Sequence, residues 1–379
     1  MKRTPLAVLN LLHERTRLLV AIAGVAFAVL LIFMNLGFQG ALLKTTVTFY
    51  DQIQADIFLT SPQSLEISTT KEFPRTRLYQ AAGVAGVERV MPLYLESLLW
   101  RNPETRLSRA MFVFGVNPQD PVFAMPELQT AAARTILVQP DTVLIDRLSR
   151  ADFGPQTVGL ETEASRRRVI IGGQYTLGSG FAADGTLIMS DQNFVRFFTP
   201  RSFDQINLGL IQTSEGANVP AIAATLRQQL PADVQVMTRR DIIQNDLLYW
   251  LENTAIGFIF TLGVIVSFIV GTVIVYQILY TDIRDHLKEY ATLKAMGYSG
   301  RYLFVVVLQE ALILAVTGYI PGFIAAFGLY QLTFQATNLP IEMTLNRLIL
   351  VFILTVIMCS LSGLISVRRA VTADPAEVF

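Results

Sequence analysis

Few side chains in this sequence have the type and spacing that chemistry requires. The two histidines, His13 and His286, lie far apart and show no metal-ligand spacing, and Cys359 is the single cysteine. The sequence contains no G-x-x-x-x-G-K-[ST] phosphate loop, no G-x-S-x-G elbow and no H-E-x-x-H zinc motif. The glycine-rich stretch 172–180 has no following lysine and predicts a turn between strands. The sequence therefore predicts no catalytic, cofactor or metal site in this chain.

Glu310 is the one charged residue inside the long apolar runs of the sequence. A carboxylate within a membrane is costly and marks a functional group by default, but it can also pair with a cation at the membrane edge or bond a neighbouring helix. We favour the structural role. Gly318 and Gly322 follow at the small-x-x-x-small spacing that lets helices approach closely, and Pro321 adds a kink. We favour packing over a moving hinge for these three residues.

These four residues lie within one of four long apolar runs in the sequence. The chain has 379 residues, of which 52% are hydrophobic and 16% charged, and its formal net charge is zero, which gives no support for a nucleic-acid partner. A helix that crosses a bilayer needs about 20 apolar residues. We therefore predict an α-helical membrane protein, in contact with membrane lipid, whose four transmembrane helices are at 18–38, 256–280, 303–332 and 348–367. The first run is longer than a signal peptide and is predicted to be an uncleaved anchor.

The distribution of lysine and arginine sets the predicted orientation. These residues lie in the N-terminal amphipathic segment 1–17, in the loop 281–302 and in the tail 368–379, whereas the short loop 333–347 holds only Arg347. We therefore place both termini and the loop 281–302 in the cytoplasm. Residues 39–255 and the loop 333–347 are placed outside, in the periplasm.

The large segment 39–255 predicts an α+β domain inserted between the first two membrane helices. The predicted strands are at 56–60, 112–116, 142–145, 168–172, 186–190 and 234–237. Helices are predicted at 191–198 and 220–230, and 117–135 is predicted to be a loop with a short helix. Apolar residues continue at helical spacing after the first membrane helix and before the second, which favours a paired stalk over helices lying flat on the membrane.

The cytoplasmic loop 281–302 predicts a short amphipathic helix. Ile283, Leu287 and Tyr290 form one apolar stripe, since they are spaced at i, i+4 and i+7. The charged residues around this stripe that we assign to orienting a partner are Arg284, Lys288 and Lys294. Such a helix can dock into a groove on a cytoplasmic partner or lie on the membrane surface, and its position alone does not decide between them.

Several stretches of the sequence resemble a known family. The charged helix followed by LKAMGYS and the ending RRAVTADPAEVF are similar to the permeases of ABC systems of the MacB and FtsX type. The N-terminal stretch PLAVLNLLHERTRLLVAIAGVAFAVLLIFMNLGFQGAL looks more like the DevC permeases of cyanobacterial exporters. The resemblance covers nearly the whole chain and is most specific at the N-terminus. No ATPase domain is fused to these residues, unlike in the MacB branch.

The resemblance implies a set of partners. The permease would form a homodimer and bind a separate DevA-like ATPase, which would hold ATP and Mg. Its outer domain would engage a DevB-like periplasmic adaptor that leads to a TolC-like outer-membrane channel. The complex would lie in the inner membrane of a Gram-negative-type bacterium, a cyanobacterium, and export a glycolipid or another amphiphile. The alternatives are an FtsX-like regulator of a periplasmic hydrolase and a receptor, and an enzyme is the least favoured class.

Overall fold

The computed structural model describes residues 15–178, 184–286 and 300–372. The chain divides into two compact units. The helix bundle comprises Met1–Gly40, Ala255–Gln335 and Ile341–Phe379, and the inserted domain comprises Ala41–Thr254 with Ala336–Pro340. The α-helices are α1 (Arg15–Asp51), α2 (Thr76–Ala82), α3 (Ala131–Val138), α4 (Asp191–Phe197), α5 (Val219–Gln229), α6 (Arg239–Glu252), α7 (Ala255–Asp285), α8 (Gly300–Thr337) and α9 (Leu345–Thr372).

Four of these helices, α1, α7, α8 and α9, are long and apolar enough to cross a membrane. They contain the four predicted apolar runs, but each helix is longer than its run because polar residues at the ends continue the helical backbone. The helix α1 has 37 residues. At a rise of about 1.5 Å per residue it is about 55 Å long, well beyond the roughly 30 Å of bilayer hydrocarbon. The predicted spans 18–38, 256–280, 303–332 and 348–367 all lie within these helices, which extend beyond them.

The segments after the first apolar run and before the second, which lead into and out of the inserted domain, differ in whether the helix is continuous. The helical continuation predicted after the first apolar run is confirmed, since α1 is unbroken to Asp51. The continuation predicted before the second run is wrong, because α6 ends at Glu252 and α7 begins at Ala255. Asn253 caps the end of α6, and the hydroxyl of Thr254 donates to the carbonyl of Trp250 at 2.7 Å. These polar residues end one helix before the next begins.

The inserted domain is built on a mixed sheet. Its strands are β1 (Ile57–Thr60), β2 (Phe73–Pro74), β3 (Val87–Arg101), β4 (Ser108–Val116), β5 (Thr142–Asp146), β6 (Glu161–Ala164), β7 (Arg167–Tyr175), β8 (Thr186–Ser190), β9 (Gln205–Ile206), β10 (Leu208–Thr213) and β11 (Gln235–Thr238). Nine strands follow the order β11-β1-β10-β3-β4-β8-β5-β7-β6, and β2 pairs with β9. Because β3 also pairs with β6, the last six strands close into a ring. The pairs β4–β8 and β5–β7 are parallel.

Apolar side chains on the two faces of this sheet form two separate cores. Along β4, Met111 and Val113 belong to one cluster, while Phe112 and Phe114 belong to the other. This alternation is the period of two expected for a strand that is covered on both faces. Trp100 lies in the first cluster, and its indole N–H donates to the carbonyl of Phe153 at 3.1 Å. The domain therefore has two apolar cores of its own, without a disulfide.

The six predicted strands are present in the structure with ends no more than four residues from the predicted ones, and the strand at 186–190 has the predicted ends. The longest strand, β3, was not predicted, because Pro92 and Glu96 interrupt the alternation of apolar and polar residues in its sequence. The predicted glycine turn is wrong at Gly172 and Gly173, which lie inside β7. A Cβ atom at Gly172 would collide with the side chains of Ile136 and Thr142, so this glycine lets α3 pack on the strand.

Candidate functional site

The structure describes only the two ends of the predicted coupling segment 281–302. Residues 281–285 are the last turn of α7, and α8 already starts at Gly300. Ile283 is 2% exposed and packs with Val307 and Val367, so its side chain is turned into the bundle. Arg284 in the same turn is exposed. The other predicted coupling residues, Leu287, Lys288, Tyr290 and Lys294, lie outside the described residues.

A charged cluster joins the last turn of α7 to the first described residues of α1. The guanidinium of Arg17 donates to the Asp285 carboxylate at 2.5 Å and lies 3.8 Å from the Asp282 carboxylate. The imidazole Nδ1 of His286 lies 2.9 Å from the carbonyl oxygen of Asp282. Sequence reasoning used Arg17 only as a sign of orientation and did not identify this cluster. The two carboxylates, Asp282 and Asp285, are visible in the sequence at i and i+3. No local pattern indicates that their partner is Arg17, which is 268 positions from Asp285.

Glu310 is fully buried in the bundle, ten residues after the start of α8. Gly318 and Gly322 lie on the face of α8 that packs against α1. A Cβ atom at Gly318 would lie 2.5 Å from the side chain of Val25, and one at Gly322 would lie 2.8 Å from the carbonyl oxygen of Ala26. The helix continues through Pro321. The glycines thus bring two helix backbones together, as small-residue spacing does in membrane bundles.

Polar side chains also hold the bundle together. The hydroxyl of Ser362 in α9 donates to the carbonyl of Thr272 in α7 at 2.8 Å. The hydroxyl of Tyr319 in α8 donates to the carbonyl of Leu348 in α9 at 3.0 Å, and that of Tyr330 donates to the carbonyl of Phe33 in α1. Each bond joins a different pair of helices. Displacing one helix therefore strains bonds to its neighbours.

A second polar cluster lies in the inserted domain, where α1 ends beside α6. The guanidinium of Arg239 donates to the carbonyls of Tyr50, Ile53 and Ala55. The phenol of Tyr50 donates to the Asp246 carboxylate at 2.6 Å. A cation at the C-terminal end of a helix satisfies its free carbonyls and its macrodipole. These bonds fasten the end of α1 to the helix that leads to α7.

Asp246 is only 1% exposed, and its surroundings change its ionisation. Burial raises the pKa of this carboxyl to about 7, although the hydrogen bond from Tyr50 opposes the rise. The backbone N–H of Ile67 donates to the same oxygen at 3.3 Å, and the Glu66 carboxylate lies nearby and adds to the rise. Sequence reasoning missed both Arg239 and Asp246, since a charged residue on an amphipathic helix is usually solvated.

The described residues contain no group of three or more histidine, cysteine, aspartate or glutamate side chains placed to hold a metal ion. Polar bonds and close glycine contacts join α1 to α7 and α8, and α1 continues unbroken into the inserted domain.

Comparison with protein families shows what the helix bundle resembles. Residues 258–375 match the family described as FtsX-like permease C-terminal. This region is therefore similar to FtsX-like permease domains. The match covers less than half of the chain and includes most of α7 and all of α8 and α9. All ten residues predicted from the sequence as coupling or packing positions lie within it.

Curated relatives extend the similarity beyond this domain. An uncharacterized ABC transporter permease of Mycobacterium tuberculosis is 24% identical over 81% of this chain and 79% of its own length. Another, from Mycobacterium bovis, is 23% identical over 97% of this chain and 96% of its own length.

Among solved structures, the periplasmic region of MacB from Actinobacillus actinomycetemcomitans matches with a TM-score of 0.37 and 12% identity. This match covers 54% of this chain and 95% of that one. The extracellular domain of the ABC-type transporter YknZ from Gram-positive bacteria matches with a TM-score of 0.34 and 16% identity, over 48% and 100% of the two chains.

Proposed function

We propose that this chain is the permease subunit of an ATP-driven ABC transporter of the FtsX and MacB type. The FtsX-like permease domain at 258–375 carries the proposal, and the similarity to ABC transporter permeases over as much as 97% of the chain supports it. The sequence has no phosphate-binding loop, so a separate ATPase subunit supplies the ATP and Mg sites. Two permease copies serve the two coupling surfaces of an ATPase dimer.

The finer assignment is a DevC-type exporter. In this proposal the inserted domain binds a DevB-like adaptor that leads to a TolC-like channel, and the cargo is a glycolipid or another amphiphile. The complex lies in the inner membrane of a cyanobacterium. Exposed apolar side chains at the β3–β4 hairpin support a docking role, since Leu99 is 57% and Leu107 is 70% exposed. An FtsX-like regulator has the same domain but binds a periplasmic hydrolase, so co-purified neighbouring gene products separate the two.

In this proposal, force passes from the segment between α7 and α8 through the helix bundle to the inserted domain. Residues 286–299 join α7 to α8, so a partner that moves this segment moves both helices. The helix α8 packs on α1 through Gly318 and Gly322. Since α1 is one helix from Arg15 to Asp51, its displacement reaches the cluster of Arg239 and Asp246 in the inserted domain. In this mechanism ATP hydrolysis moves the inserted domain.

The double change Leu287→Asp with Tyr290→Asp tests the partner. Burying one apolar side chain contributes about 1.5–3 kcal/mol, so losing two is expected to weaken ATPase binding at least about a hundredfold. The control pair Leu287→Met with Tyr290→Phe keeps apolar surface and is expected to bind. Pull-down and ATP hydrolysis are measured with the ATPase encoded beside this chain. Undiminished binding and hydrolysis with the aspartate pair would rule out this segment as the coupling element.

Cysteine labelling tests the proposed topology. In a Cys359→Ala background, Lys2→Cys and Glu104→Cys each carry one new thiol. Glu104 is exposed at the β3–β4 hairpin of the inserted domain. A membrane-impermeant maleimide added from the periplasmic side is expected to label residue 104 and to label residue 2 only after the membrane is broken. Labelling of both positions in intact cells contradicts the proposed orientation.

A further inference from the structure

The last turn of α7 carries two carboxylates where a helix tolerates them least. The C-terminal end of a helix bears partial negative charge, and a carboxylate there is disfavoured by about 0.3–1 kcal/mol. Asp282 is 5% exposed, so water does little to solvate it. A buried charge without a partner is strongly destabilising. This turn therefore depends on a nearby cation.

Arg17 supplies that cation from another helix. Its two terminal nitrogens reach different carboxylates, NH2 contacting Asp285 at 2.5 Å and NH1 lying 3.8 Å from Asp282. A guanidinium suits this task because its fork is planar and always charged. His286 adds a contact to the Asp282 carbonyl oxygen from the following residue, but it belongs to the same chain segment and cannot tie this turn to α1.

Apolar contacts also hold the last turn of α7 in place. Ile283 lies between the two carboxylates in sequence and packs with Val307 of α8 and Val367 of α9. The turn thus has an apolar attachment to two helices and an ionic attachment to the third. The ion pairs fix its rotation and its distance from α1, which the apolar contact alone leaves adjustable.

We infer that Arg17 is a positioning residue, which holds the last turn of α7 to α1 at the point where the chain enters the connecting segment 287–299. The inference rests on the proposed function in one respect, that this segment receives force from an ATPase. With Arg17 in place, movement of the segment is passed to both α1 and α7. Without it, the last turn of α7 is held less firmly to α1, although Ile278 still packs near Gly24 of α1, and part of the displacement is lost at this turn.

The test compares Arg17→Ala with Arg15→Ala in the full-length permease. Arg15 is an exposed arginine two residues away and serves as the matched control. Arg17→Ala is expected to lower stimulated ATP hydrolysis and transport at least about fivefold, since losing about 1 kcal/mol of coupling has that effect. ATPase binding in pull-down is expected to stay within about twofold. Arg17→Lys keeps the charge but not the fork, and an intermediate activity is expected.

A distance measurement without the ATPase completes the test. Spin labels at Thr16→Cys and Arg284→Cys, in a Cys359→Ala background, report the separation of α1 from the last turn of α7. The distance distribution is expected to broaden with Arg17→Ala and to stay narrow with Arg15→Ala. An unchanged distribution overturns the inference. Unchanged stimulation with a broadened distribution also overturns it, because the pairing would then be structural only.

The two measurements separate this inference from the proposed function. If the unmodified chain neither binds nor stimulates an ATPase, the proposed function fails, and the role of Arg17 in force transmission fails with it. If the unmodified chain stimulates an ATPase and Arg17→Ala does so equally well, only the inference fails.

Discussion

Replacing Gly322 by alanine is expected to destabilise the helix bundle, although the same change at Gly328 of the same helix is expected to stabilise it. A Cβ atom at Gly322 would lie 2.8 Å from the carbonyl oxygen of Ala26 and 2.8 Å from Val29, whereas one at Gly328 meets nothing within 4 Å. The Ala26 oxygen belongs to a helix backbone, so it yields only if α1 and α8 separate. Overpacking of this kind costs about 1–3 kcal/mol.

Gly328→Ala is the matched control because it makes the same chemical change in open space. Alanine in a helix is favoured over glycine by roughly 0.5–1 kcal/mol, and at Gly328 nothing opposes this gain. The single thiol, Cys359, lies buried in α9 and reports unfolding of the bundle when a thiol-reactive dye gains access. In thermal scans in detergent, the dye signal is expected to appear at a lower temperature for Gly322→Ala and at a higher one for Gly328→Ala. Equal shifts of one sign would contradict the close packing of α8 on α1.

The membrane helices were predictable because their signal is local. Apolar runs of about 20 residues identify spanning helices, and all four predicted runs lie within long helices of the structure. The ends were not predictable to the same degree. At the end of α1, amphipathic spacing correctly indicated that the helix continues to Asp51. Before α7 the same spacing was misleading, because the interruption at Asn253 and Thr254 depends on two capping interactions.

Long-range pairs account for what the sequence could not show. The small-residue spacing of Gly318 and Gly322 predicted close packing but did not identify α1 as the partner helix. The closure of the strand ring through Trp100 and Ala164 is a pairing between distant segments with no local signature. The contact of Arg17 with Asp285 spans 268 positions. Charged residues at helix ends were interpreted as orientation signals, whereas in the structure one of them, Arg17, pairs with a carboxylate at the end of a neighbouring helix.

The inserted domain is expected to lose stability as the pH rises from about 4 to about 7, and Asp246→Asn is expected to remove this loss. The unfolded chain releases the Asp246 proton near its ordinary pKa of 3.8, but the folded domain retains it up to about pH 7. Between these values the folded state binds more protons, so the unfolding free energy falls as the pH increases. The full linked change is about 4 kcal/mol, and it is complete above the folded pKa.

An asparagine at position 246 must accept the hydrogen bonds that the Asp246 carboxylate accepts. Tyr50 donates to the carboxylate from α1, the N–H of Ile67 donates from the segment beside Glu66, and Arg239 lies two turns earlier on α6. An asparagine oxygen accepts the same two hydrogen bonds without a charge. Asp246→Asn is therefore expected to match the parent at pH 4 or below and to exceed its stability at pH 8, where the parent carries a buried carboxylate beside Glu66.

Tryptophan fluorescence measures this change in the full-length protein, because both tryptophans, Trp100 and Trp250, belong to the inserted domain. Asp241→Asn is the matched control on the same helix. Desolvation alone would raise the pKa of Asp241, but hydrogen bonds from Thr238 and Arg227 outweigh it and lower the pKa. The ionised Asp241 carboxylate therefore stabilises the folded domain at pH values above its unfolded pKa. Asp241→Asn is expected to lower the unfolding midpoint at pH 8. If Asp246→Asn also lowers the midpoint at pH 8, the buried carboxylate is ionised at no cost, and Asp246 does not link the inserted domain to pH.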